Sequence, residues 1–227
     1  MKSHIIILFS IFSITIYAQS EQAKRKILVV KNKLENVPPY SCDIKVKIDV
    51  SFINIKERTG KMVFKNPEEI DYKIKGFAFL PKNEMGATTT DLFNSEFIAI
   101  SLGYEQENEI IKVIPMDINS EIVTGQFWIN SKNLISEMIL ITKDKGSYSA
   151  KLSYAGEKFD LPSNIKITFD VKNQKMPALL TGDLESYSEE LPDVNKVSKG
   201  NISINYFNHQ FCLLYTSPSP RDAHESR

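Results

Sequence analysis

Side-chain catalysis needs a base, a nucleophile or a set of metal ligands, so the histidines, cysteines and paired carboxylates come first. The chain has three histidines and two cysteines in 227 residues. His4 lies in an apolar leader, and His224 and Cys212 lie in a C-terminal stretch unlike the rest of the chain, which leaves His209 and Cys42 in the interior. A hydroxyl or thiol nucleophile needs a base beside it, and a zinc site gathers several His, Cys or carboxylate ligands. One histidine and one cysteine supply neither, and Cys42 reads most simply as a small buried apolar residue. Glu68 and Glu69 are adjacent, and neighbours on an extended chain point to opposite faces, so they read as a solvated turn and not as an acid/base pair. Glycine-rich phosphate loops are missing from the sequence. The expectation is no enzyme, no cofactor and no metal.

The two ends are set aside before any fold is considered. Lys2 precedes an apolar run from Ile5 to Tyr17, and Ala18-Gln19-Ser20 places small residues where a signal peptidase reads. The run is shorter than the roughly 20 residues needed to span a bilayer, so residues 1–20 are expected to be a cleaved signal peptide and the mature product a soluble one. At the other end, Cys212–Asp222 reads CLLYTSPSPRD. This resembles the translation of a transposase adapter used in sequencing libraries, so residues 212–227 are expected to be foreign and the natural C-terminus to be missing. Residues 21–211 form one expected domain, with no disulfide pair in spite of export. The net charge is zero, which gives no global attraction to nucleic acid or to an anionic membrane.

Between these ends the periodicity is clear. Ala23, Ile27, Val30 and Leu34 recur at steps of three and four until Pro38-Pro39, which predicts an amphipathic helix over 21–35. From Cys42 the period becomes two: Ile44, Val46, Ile48, Val50 and Phe52 alternate with charged or polar residues. Met62 with Phe64, and Ile70, Tyr72 and Ile74, repeat the pattern on either side of a turn at Asn66-Pro67. Further strands are expected at 97–104, 110–114, 122–129 and 134–142, and then around Leu152, around Ile167 and Phe169, and around Ile202, making about ten. Residues 82–96 hold a short helix after Thr90 with Asp91 near its start, and 176–199 reads as an acidic surface excursion. Phe77 with Phe79, and Phe127 beside Trp128, read as core or interface anchors.

Short connections favour antiparallel neighbours. A sheet with one dry face must cover that face, and one helix cannot shield it all. A sandwich, a closed barrel and a strongly curved open barrel capped by helices all satisfy this, and only the last leaves a large apolar hollow.

Gly60–Tyr72, GKMVFKNPEEIDY, resembles a strand-Pro-strand unit of outer-membrane lipoprotein carriers, the LolA-like family. IIKVIPM and FWINSKNLISEM, then YAGEKFDLPSNIKITFDV and GNISINYF, follow in the family's order, and the resemblance covers most of residues 21–207. It implies a mainly β fold with helices: a curved, incompletely closed antiparallel β-barrel of about ten strands, capped by an N-terminal helix and a short second helix. It also implies a monomeric periplasmic carrier that takes acyl chains of lipoproteins, or lipid, from an inner-membrane donor complex to an outer-membrane acceptor. The apolar cavity would be lined by Ile44, Val46, Ile48, Val50, Phe52, Met62, Phe64, Ile70, Tyr72, Ile74, Leu152, Ile167 and Phe169. Ile27, Val30 and Leu34 would form the lid, with Asn66 and Pro67 at its latch. The family carries arginine before this proline; Asn66 can hydrogen-bond the lid but cannot make the charge-assisted fork of a guanidinium. The alternative is a non-transporting envelope module of the same fold, which senses lipid or binds a protein partner around a filled core.

Overall fold

The computed structural model describes residues 20–50, 53–54, 56–67, 69–74, 84–143, 146–155, 158–171 and 198–211. Residues 1–19 of the expected signal peptide, the tail from Cys212, residues 176–197 of the acidic excursion, and Phe52, Glu68, Phe77 and Phe79 lie outside the described residues; Ser20, the last residue of that expected peptide, is described as the first of a helix.

Helix α1 spans 20–35. Three of the four residues of its predicted stripe, Ala23, Ile27 and Val30, are in the core; the fourth, Leu34, is exposed in the last turn, and Leu28 and Val29 face outward. The helix ends on Asn36, whose backbone N–H and side-chain Nδ2 both donate to the Asn32 carbonyl, at 3.0 and 2.7 Å. Pro38 and Pro39 then force an extended backbone into the first strand.

The strands are β1 (Tyr40–Val50), β2 (Ile53–Asn54), β3 (Arg58–Asn66), β4 (Glu69–Ile74), β5 (Phe97–Glu105), β6 (Asn108–Pro115), β7 (Ile122–Ile129), β8 (Ile135–Thr142), β9 (Ser147–Tyr154), β10 (Pro162–Val171) and β11 (Ser198–Phe211). They make one antiparallel sheet in the order β4-β3-β1-β11-β10-β9-β8-β7-β6-β5, with β2 folded back on β1. The sheet does not close, because β4 and β5 are its two free edges. Pairing of β1 with β11 joins the start of the domain to its last strand, with Ile44 opposite Tyr206 and Ile48 opposite Ile202.

Register carries the dry face across the sheet. Ile48 stands beside Ile202, Ile202 beside Ile167, Ile167 beside Ala150, Ala150 beside Met138 and Met138 beside Phe127. All six are buried, and a one-residue slip of any strand would turn its members to water. Next to this row the ring of Phe169 lies over Gly200, where a Cβ would stand only 2.4 Å from Phe169 Cζ.

Helix α2 (Glu84–Asn94) falls between the two edge strands in sequence. It starts earlier than the sequence indicates, and Asp91 is in its last turn, not near its start. Thr89 and Thr90 are weak helix formers, but both are buried in the helix; packing overrides their local preference. Leu92 and Phe93 also face inward, with the ring of Phe93 5.1 Å from that of Phe127. On this side they join Ile111, Val113 and Ile129 in the buried core. Outward, β5 leaves Ile98, Ile100 and Leu102 exposed.

α1 makes a hydrogen bond at each end, the first through Ser20 at the expected cleavage site. Ser20 Oγ donates to the Ala99 carbonyl on β5 at 3.0 Å, and Lys33 Nζ donates to Asp160 Oδ2 at 2.8 Å in the connection between β9 and β10. The helix therefore runs from the edge strand β5 to the connection between β9 and β10, the two strands in the middle of the sheet.

Candidate functional site

Beneath the C-terminal half of α1 the concave face is not filled. A cavity of about 470 Å³ lies there, within the range of small-molecule sites. Met62 and Phe64 of β3, Ile70 and Tyr72 of β4, Leu152 of β9 and Ile167 of β10 line it, with Ile202, Ile204 and Tyr206 of β11 between them. Val30 and Leu34 close it from the helix, Thr89 and Thr90 from α2, and Pro67 from the β3–β4 turn.

The residues expected to share one cavity divide. Met62, Phe64, Ile70, Tyr72, Leu152, Ile167, Val30, Leu34 and Pro67 line the hollow. Ile44, Val46, Ile48, Phe169 and Ile27 are buried in the core cluster but are not among the lining residues, although Ile44, Val46 and Ile48 stand opposite the lining Tyr206, Ile204 and Ile202, and Ile74 packs against the cluster. Asn66 is exposed at the end of β3, outside the lining. The Val50 side chain, like Phe52, lies outside the described residues.

Among the described residues the interior polar groups are phenols, the hydroxyls of Thr89 and Thr90, and one thiol. Tyr40, Tyr72 and Tyr206 line the cavity, and Cys42 is buried close to them. Burial pushes the Tyr72 hydroxyl up to about 12 and the Cys42 thiol up to about 12, and it holds Tyr206 well above the usual phenol range. Tyr72 and Tyr206 share a hydrogen bond, and the Tyr40 ring stacks on Phe64 at 5.1 Å. At neutral pH these groups are uncharged. They can position an apolar ligand or hydrogen-bond a carbonyl, but they supply no nucleophile.

The rim is different. Lys33 and Asn32 of α1, Asn36 just past its end, Asn133 of the β7–β8 turn, and Asp160 all border the opening. Lys33 holds the Asp160 carboxyl below its usual value, first through their hydrogen bond, with the charge of Lys132 adding to the effect. Phe159 and Asp160 both have positive φ, 69° and 50°, the left-handed region that costs a non-glycine residue roughly 1–2 kcal/mol. This turn presents Asp160 to the helix. Asn130 Oδ1 accepts from the backbone N–H groups of Lys132 and Leu134, 3.0 Å each, and so fixes the loop that carries Asn133. Sequence reading gave no signal for Lys33 and Asp160: they are 127 residues apart, and each reads alone as a solvated charge.

An open antiparallel sheet with a helix across a hollow has known counterparts. A DUF1329 family protein from Desulfovibrio piger superposes with a TM-score of 0.53 at 8% identity, covering 86% of this chain and 94% of that one. A LolA superfamily protein from Nitrosomonas europaea superposes with a TM-score of 0.50 at 7% identity, covering 84% and 94%. The fold is LolA-like. A Vibrio parahaemolyticus domain described as an outer membrane lipoprotein-sorting protein gives 0.50 at 10% identity, covering 89% and 96%. No protein-family model and no curated protein matches the sequence. At these identities the LolA-like match is one of architecture, and the chemistry has to come from the cavity itself.

Proposed function

We propose that this LolA-like protein is a non-enzymatic periplasmic carrier that takes an acyl chain, from a lipoprotein or a lipid, into the hollow under α1 and delivers it to the outer membrane. The observation that carries this is the apolar hollow of about 470 Å³ between the concave face and the helix. The neighbouring structures, named as LolA superfamily and lipoprotein-sorting proteins, support it. Burying acyl carbon contributes about 0.8 kcal/mol per CH₂, so even part of one long chain binds usefully. Delivery requires α1 to move and an acceptor that binds the cargo more tightly, with an inner-membrane donor loading it; this is a shift of populations and involves no covalent step.

The test is native mass spectrometry of the protein purified after export, together with uptake of a fluorescent acyl probe. Co-purifying lipid or lipoprotein and saturable uptake are expected; a clean apo mass with no uptake refutes the carrier reading. A part for Asn66 in seating the lid is probed separately. Asn66→Arg, beside the cavity-lining Pro67, is expected to slow amide exchange in residues 23–34, and unchanged exchange removes Asn66 from the mechanism.

A further inference from the structure

The carrier reading leaves open which end of an amphiphile the protein recognises. The cavity interior is apolar with neutral phenols, whereas its described charged groups gather at the rim next to the C-terminal half of α1. There Lys33 and Asp160 form an ion pair at 2.8 Å, with side chains 40% and 28% exposed, and Lys132 acts on the same carboxylate. The lining itself holds one ammonium and one carboxylate, a second lysine, Lys132, is the exposed neighbour of the lining Asn133, and the amides of Asn32, Asn36 and Asn133 border the same opening. Such a rim matches a head that is negative and rich in acceptors.

Resting on the carrier reading, we propose that the rim is a headgroup site for acyl amphiphiles with an anionic head, a carboxylate or a phosphate, in which Lys33 binds the head after exchanging its bond to Asp160. The chain then lies inward against Met62, Phe64 and Ile202, and the head stays at water level beside Asn36 and Asn133. Asp160 occupies the site in the empty protein. It neutralises Lys33 there and competes with an incoming anion, which gives the two members of the pair opposite effects on binding.

The experiment is displacement of a bound fluorescent acyl probe by hexadecanoate, hexadecyl phosphate and hexadecanol, with inorganic phosphate as the chainless anion, on the wild type, Lys33→Gln and Asp160→Asn. Asn is compatible with the positive φ at position 160. In the wild type, one or both anionic amphiphiles are expected to bind more tightly than the alcohol, and the stronger of the two assigns the head as carboxylate or phosphate. Lys33→Gln is expected to weaken the anionic ligand by roughly three- to fivefold, the scale of a partly exposed ion pair, and Asp160→Asn to strengthen it, with hexadecanol unchanged in both. Equal affinity for anions and alcohol in the wild type, or a loss in Lys33→Gln shared equally by the alcohol, overturns the headgroup site and leaves the carrier reading standing. Displacement by inorganic phosphate alone overturns it too, as a plain anion site. Binding of none of the chains refutes the carrier reading, and the headgroup site falls with it.

Discussion

At the scale of single residues, burial of neutral polar groups has a measurable signature. Tyr72 ionises at about 12 in the folded protein against an ordinary value of 10.0, and Cys42 at about 12 against 9.0, both mainly through burial. The unfolded chain releases these protons first, so the native state binds more protons across that interval and the slope of stability with pH is negative. Their contribution is fully present below about pH 9 and is lost as pH rises toward 12. Alkaline unfolding followed by circular dichroism is expected to be shallower in Tyr72→Phe than in the wild type over this window; identical curves would place the Tyr72 hydroxyl in water. The Phe169–Gly200 contact makes a second prediction. Gly200→Ala puts a methyl into the ring and is expected to cost about 1–3 kcal/mol in chemical denaturation. Adding Phe169→Leu should recover part of that loss, since the two sites are in contact; additive losses would show that they do not touch.

At the scale of elements, the specific contacts that hold α1 beyond the expected cleavage site are few, Lys24 over the Phe97 ring toward one end and Lys33 to Asp160 at the other, over an apolar stripe. Partly exposed pairs contribute about 1 kcal/mol or less, which suits a lid that must move. Lys33→Gln is expected to speed amide exchange in the last turns of α1 severalfold and leave α2 unaffected, as hydrogen-exchange mass spectrometry can check; uniform acceleration would mean that the pair supports the whole domain. The strands were the legible part of these elements. The alternation from Ile44 to Ile48, or from Ile165 to Phe169, marks a strand with one dry face whatever covers it. Register across β1, β11 and β10 follows from keeping those faces aligned. The start of α2 was not legible, because Thr89 and Thr90 disfavour a helix locally and are held in one by packing.

At the scale of the molecule, the sequence shows which residues are dry but not where the dry surface is left unfilled. Ile48 and Met62 carry the same pattern and both belong to the buried core, yet of the two only Met62 lines the hollow. The difference arises from where α1 and α2 fall on the sheet, and no strand records that. The rim was hidden for a related reason, since Lys33 and Asp160 meet only when the helix crosses to the β9–β10 connection.

The central claim is that the hollow under α1 is where the acyl chain goes. Uptake of an acyl probe by Leu152→Trp, read beside its thermal unfolding, tests that claim most directly, since the larger ring enters empty space if the hollow is real and collides with neighbours if it is not. Retained or raised stability with uptake lost is the predicted result; a protein that binds the probe as the wild type does, or that unfolds at far lower temperature, contradicts it.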